Sequence, residues 1–217
     1  MHTAYVMACT ILPALGQAAF TAELSVTVLD NAGRPFAGAA VIAEPQTPAP
    51  RPNASPRSEM DQRDLQFVPN LLVIRTGTAV SFPNSDQVWH QVYSFSGART
   101  FQLSLYAGRA HPPVIFDKPG LVTLGCNIHD GMIGYIYVTD SPWHGRSDTN
   151  GQLTLQNLPA GNYTVKIWHQ RFNDPAASLS RSVTLTDDQA VRSAFLLKQN
   201  LKPALHSHGN EKQWEDY

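Results

Sequence analysis

The chain has 217 residues, 42% hydrophobic and 15% charged, with a formal net charge of −1. That balance excludes a disordered chain and an electrostatically driven nucleic-acid binder, and the length admits one or two domains with a proper core. No stretch is long and apolar enough to span a bilayer as a helix of the mature chain.

The N-terminus reads as an export signal. Ala4 to Gly16 form an apolar run, and Gly16-Gln17-Ala18 puts small residues where a signal peptidase cuts, so residues 1–18 are expected to be removed and the mature protein to be periplasmic or secreted. The n-region carries only the amino terminus and His2, and a buried first strand is the competing reading. Too little apolar chain precedes Cys9 for a lipobox. Of the two cysteines, Cys9 would leave with the signal, and Cys126 would remain without a disulfide partner. A lone thiol in an oxidising compartment calls for burial or a metal.

Downstream, apolar residues alternate with period two. Leu24-Val26-Val28, Val41-Ala43, Val73-Arg75, Val80-Phe82, Val122-Leu124, Leu153-Leu155, Tyr163-Val165-Ile167 and Val183-Leu185 all predict half-buried strands. Turn residues separate them at Asp30 to Gly33, Pro83 to Asp86, Pro119-Gly120 and Asp148 to Gly151. No segment holds a helical period. The expected class is all-β, with two β-sandwiches.

Thr47 to Pro56, rich in Pro, Ala and Ser, reads as a linker. About eight short strands are expected between Glu59 and Thr139, enough for one small sandwich. A hairpin over Leu24 to Ala43 cannot bury a face alone. Asp30-x-x-Gly33-x-Pro35-x-x-Gly38-Ala39-x-Val41 resembles the opening of a carboxypeptidase-regulatory-like (transthyretin-like) sandwich. Ser147-Asp148-x-x-Gly151-x-Leu153-x-Leu155-x-x-Leu158-Pro159-x-Gly161-x-Tyr163-x-Val165 resembles its closing half. The resemblance implies a split outer unit, residues 22–46 and 141–200, with a second unit, residues 58–140, inserted between its halves and a polar tail at 201–217. Three beads in sequence is the alternative.

The chemistry centres on Gly125-Cys126-Asn127-Ile128-His129-Asp130-Gly131-Met132. Cys, His and Met recur at i, i+3 and i+6 between two predicted strands, where a short loop can turn all three inward, Gly125 and Gly131 giving it freedom. Thiolate, imidazole and thioether form a soft donor set suited to copper. His90, in Val88-Trp89-His90-Gln91-Val92, is the candidate second imidazole.

With these residues in view, the stretch from about 59 to 139 resembles a cupredoxin, the family of plastocyanin, pseudoazurin and amicyanin. The matching elements are Phe67-Val68-Pro69, Val73-x-x-x-Gly77-Thr78-x-Val80-x-Phe82-x-Asn84, His90, and Cys126-x-x-His129-x-x-Met132-x-Gly134. The resemblance implies one type 1 (blue) copper ion with His90, Cys126 and His129 as equatorial ligands and Met132 as the weak axial one. It implies an electron carrier rather than an enzyme, with a redox protein partner such as a dehydrogenase or cytochrome. Two departures stand out: Gln91 where many relatives have Asn after the first His, and Ile128 where many have Pro before the second.

His129 is the expected electron port, with Met132-Ile133 and Pro142-Trp143 as candidates for an apolar docking patch or, alternatively, as ordinary core. The same residues fit other functions less well. Zinc does not usually take a thioether. A Cys-His hydrolase lacks an evident third, orienting residue. Copper delivery would favour several exchangeable Met or Cys ligands, and a multicopper enzyme would need a His-rich cluster. The sole His-x-His, His206-Ser207-His208, lies in the polar tail, and His111, His144 and His169 have no partners at ligand spacing, with His169 expected at the surface.

Overall fold

The computed structural model describes residues 21–47, 56–174, 178–198 and 201–203. The expected signal, residues 48–55 of the linker, and His206 and His208 lie outside the described residues. Within them every regular element is a strand, the all-β class that period-two alternation predicts.

Two strands precede the linker, β1 (Ala22–Leu29) and β2 (Ala40–Pro45). The middle of the chain supplies β3 (Arg57–Glu59), β4 (Asp61–Arg63), β5 (Gln66–Val68), β6 (Leu71–Arg75), β7 (Thr78–Ser81), β8 (His90–Ser96), β9 (Arg99–Tyr106), β10 (Val114–Phe116), β11 (Gly120–Gly125) and β12 (Ile133–Thr139). The remainder is β13 (His144–Arg146), β14 (Gln152–Leu158), β15 (Gly161–Trp168), β16 (Leu179–Leu185) and β17 (Ala190–Leu196).

The middle strands form a five-stranded sheet in the order β6-β12-β11-β8-β9, a three-stranded sheet β10-β7-β3, and the hairpin β4-β5. Their inward side chains, among them Phe67, Val80, Val92, Phe116 and Ile136, pack into one apolar core that also takes in Met60, Cys126 and Met132. Sheets with one face on a core show this alternation because successive side chains point to opposite faces.

The flanking strands fold together, not as an N-terminal hairpin. β1 lies between β14, antiparallel, and β17, parallel, while β2 lies between β13 and β15 in another sheet. The hairpin expected over Leu24 to Ala43 is therefore corrected: its arms belong to different sheets. The connection makes local turns at Gly33 and Gly38, with φ of 75° and 77°, and each arm buries its face against C-terminal strands instead of the other arm. Leu24, Val28, Val41, Ile167, Phe172 and Phe195 share this second core.

The second core also covers the outer face of the five-stranded sheet. On β12, Ile136 and Val138 face the first core, while Tyr135 and Tyr137 pack toward the second, with their rings 5.6 and 6.0 Å from that of Trp168. Arg146 donates from Nη1 to the Leu71 carbonyl at 2.9 Å, and Gln170 donates from Nε2 to Asn70 Oδ1 at 3.1 Å. The sheet that ends in the Cys126 loop is thus braced on both faces.

Candidate metal centre

β11 and β12 are antiparallel neighbours paired through Gly125 and Ile133, so residues 126–132 are forced into a tight loop at their shared end. The loop closes on itself: Cys126 N–H donates to the Met132 carbonyl at 3.2 Å and Met132 N–H to the His129 carbonyl at 3.3 Å. Gly131 has φ of 79°, a left-handed conformation that favours glycine. Gly125 serves differently from the freedom expected of it. A Cβ there would stand 2.7 Å from the end of the Tyr93 ring, which lies over Gly125 where β8 pairs with β11.

That pairing brings His90, the first residue of β8, to the loop. The Cys126 Sγ lies 3.7 Å from Nδ1 of His90 and 3.7 Å from Nδ1 of His129. The two imidazole rings meet edge to face at 4.7 Å, and the three donor atoms all lie within 4.8 Å of one another. His90 is fully buried, Cys126 nearly so, and His129 half-buried at the rim. Met132 is buried in the same core as Cys126.

The protonation of the imidazoles follows from their surroundings. His90 Nε2 lies 2.7 Å from Oδ2 of Asp86; a carboxylate there accepts, so Nε2–H donates to it and Nδ1 is the ring nitrogen turned toward the sulfur. Burial works against the Asp86 charge, but hydrogen bonds from His90, Leu65 and Asp64 outweigh it and hold its carboxyl below the ordinary aspartate value. Burial, and then the neighbouring His90, push His129 below the usual histidine value, while Asp86 acts weakly the other way. His129 is therefore neutral at pH 7, with a lone pair to offer.

Bonds from a first-row ion to thiolate and imidazole are about 2.3 and 2.0–2.1 Å long, together more than each 3.7 Å separation, so a single ion reaches both ends. The triad fits a metal ion. A thiolate with two neutral imidazoles is a soft set that suits copper better than the hard oxygen-seeking cations.

Three of the four expected ligands, His90, Cys126 and His129, are brought together; Met132 closes the loop from within the core. The sequence reading missed Asp86, whose position four residues before His90 across an irregular turn fits no periodic template. It thereby missed the orienting residue that a Cys-His pair was thought to lack. Asn84, expected as a turn residue and as part of the resemblance, is buried and clamps the turn: its Nδ2 donates to the carbonyls of Val88 and Tyr106, both at 2.9 Å, and its Oδ1 accepts Asp86 N–H at 3.0 Å.

Of the two readings of Met132-Ile133 and Pro142-Trp143, docking patch or ordinary core, Met132 and Trp143 follow the core one. Met132 is buried, and Trp143 packs against the second core with its ring 5.6 Å from that of Tyr163. The exposed apolar side chains beside the ligands are instead Val88, Trp89 and Ile128, at 43%, 57% and 51%. His169, expected at the surface, is buried against Phe36 with ring centroids 4.7 Å apart. His144 is half-buried and hydrogen-bonded to the Ser141 carbonyl, and His111 lies over Tyr106. None of the three joins the cluster.

Neither a protein-family model nor a curated protein matches the chain. Among solved structures, it is similar to a copper-containing nitrite reductase from Thermus scotoductus, with 23% identity and a TM-score of 0.37, over 44% of this chain and 25% of that one. It thus spans about a quarter of the nitrite reductase. It is also similar to a purple cupredoxin from Nitrosopumilus maritimus, at 19% identity and a TM-score of 0.35 over 38% of this chain and 99% of that one. A reduced amicyanin mutant aligns at 18% identity with a TM-score of 0.36, over 40% and 85%. Likenesses this weak leave the functional reading to the site's own geometry.

Proposed function

We propose that the protein binds one copper ion at His90, Cys126 and His129, with Met132 as a weak fourth ligand, and carries single electrons. The observation that carries this is the Cys126 sulfur flanked on two sides, at 3.7 Å each, by Nδ1 nitrogens of His90 and His129. Copper would supply a one-electron couple between Cu(II) and Cu(I). The chain's part is to hold the donors still. His90 is anchored on a strand, Cys126 and Met132 are fixed in the core, and only His129 reaches the rim. A rigid donor set minimises rearrangement between oxidation states, and the apolar shell keeps water off the sulfur.

His129, with Val88, Trp89 and Ile128 exposed next to the two histidines in sequence, forms the proposed electron port toward a redox protein partner. Export to the periplasm or the outside, after cleavage near Ala18, is part of this reading and rests on the N-terminal sequence. The insertion of the 58–140 unit into a split carboxypeptidase-regulatory-like unit is also part of this reading; it rests on the resemblance of the two flanks, and the pairing of β1 with β14 and β17 supports it.

A second reading follows from Asp86, because Cys126, His90 and Asp86 stand in the order of a nucleophile, base and orienting acid. Two features favour metal. A nucleophile needs one base, whereas Cys126 has an imidazole on each side, and a substrate must reach the sulfur, whereas Cys126 is 7% exposed and His90 0%. Titration with Cu(II), followed by cyclic voltammetry, tests the proposal. One ion per chain and a reversible one-electron wave are expected; a delivery protein would instead surrender its copper to a mild chelator.

A further inference from the structure

Asp86 receives three hydrogen bonds. Its Oδ1 accepts the backbone N–H of Asp64 at 2.6 Å, and its Oδ2 accepts the N–H of Leu65 at 3.1 Å as well as Nε2–H of His90 at 2.7 Å. Asp64 and Leu65 are the two turn residues of the β4-β5 hairpin, and both have positive φ, 52° and 57°. Hairpin turns of this hand normally use Asn or Gly, and a leucine held there is an outlier that the surroundings must enforce. What they gain is two adjacent N–H groups aimed at one carboxylate.

The carboxylate is held from its own side too. Asp86 N–H donates to Asn84 Oδ1 at 3.0 Å, and the preceding Ser85 N–H donates to the Gln62 carbonyl at 2.9 Å. Gln62, fully buried on β4, returns two hydrogen bonds to the Pro83 carbonyl, from its backbone N–H and from Nε2, both at 3.0 Å. The 83–86 turn and the hairpin are therefore tied together at several points, and Asp86 has little freedom to follow a moving imidazole. The imidazole must follow Asp86.

We infer that Asp86 is a positioning residue of the metal centre: it fixes the ring of His90 with Nδ1 toward Cys126 and strengthens that nitrogen as a donor, biasing the site toward Cu(II). This deepens the copper reading and rests on it. An anionic partner on the far nitrogen of a ligating histidine makes the near nitrogen more basic, and the loss of such partners typically weakens metal binding about 10–100-fold. Because the added donor strength favours the more highly charged ion, removing Asp86 weakens Cu(II) more than Cu(I), and the reduction potential rises.

The test is Asp86→Ala, read in two ways. In the metal-free parent, nitrogen-15 NMR should show a slowly exchanging His90 Nε2–H far downfield, and the variant should lose it. In the copper-loaded proteins, the variant should bind Cu(II) at least tenfold more weakly relative to Cu(I), an upward shift of about 59 mV for a one-electron couple. A turn cap alone would lower folding stability and leave the potential in place. If Asp86→Ala does not fold, the same readings are taken in a Leu65→Gly background, where glycine accepts the positive φ without the carboxylate. No change in the ring N–H signal, or no change in the potential of a folded copper-loaded variant, overturns the inference. A parent that takes up no copper would sink the metal reading instead, and the ring N–H would still report whether Asp86 holds His90.

Discussion

The sulfur of Cys126 stands 3.7 Å from Nδ1 of His90, a residue thirty-six positions earlier in the chain. Strand pairing brings the two together: Gly125, next to Cys126, pairs with Tyr93 of β8, whose ring lies over it. The metal reading therefore depends on sheet geometry as much as on ligand identity.

Gly125→Ala tests this dependence. The added methyl would lie 2.7 Å from the Tyr93 ring, and at Gly134 it would lie 2.8 Å from Phe67. Each substitution should lower stability by about 1–3 kcal/mol, the usual range for overpacking. Urea midpoints check this, and a change below about 0.5 kcal/mol, the scatter of neutral surface substitutions, would contradict the packing.

Trp168→Ala probes the brace behind the site. Trp168 is 2% exposed and packs against Tyr135 and Tyr137, on the face of β12 away from Cys126. A loss of about 3–5 kcal/mol is expected for a buried tryptophan. Copper stoichiometry, measured on the folded fraction, should stay as in the parent.

Trp89→Ala tests the electron port. Trp89 is 57% exposed, so its removal should change stability by less than about 0.5 kcal/mol. The expected effect is slower electron self-exchange, seen in NMR line broadening of mixed oxidation states, with the visible spectrum unchanged. An unaltered exchange rate would place the port elsewhere.

His169 sets a pH dependence. Burial, and then the charge of Arg171, lower its pKa from 6.5 to about 4. The unfolded chain therefore binds a proton that the folded chain refuses between those values. Stability is complete above pH 6.5 and falls as the pH drops toward 4, by about 3 kcal/mol in total. Comparing urea midpoints at pH 7 and pH 4.5 in the parent and in His169→Gln isolates this contribution. The variant should show the smaller loss.

The ligand loop was readable from sequence because its chemistry is local: Cys126, His129 and Met132 lie within seven residues, between strands marked by simple alternation. His90 was reachable because its apolar neighbours placed it on a strand. Asp86 was not, since its partners Asp64 and Leu65 come from a distant hairpin and only the folded chain brings them together. The pairing of β1 with β17 was hidden for the same reason: parallel partners far apart in sequence leave no mark on local periodicity. His169 was misread because a polar residue at a strand end looks exposed until Phe36 is seen to cover it.

The most direct test of the central claim is the Cu(II) EPR and visible spectrum of the mature protein beside Cys126→Ser. An intense thiolate-to-copper absorption with narrow parallel hyperfine splitting, both lost in the serine variant, is the expected result. A weak band with wide splitting, the same in both proteins, would mean that Cys126 does not bind the metal and that the proposed site is not a copper redox centre.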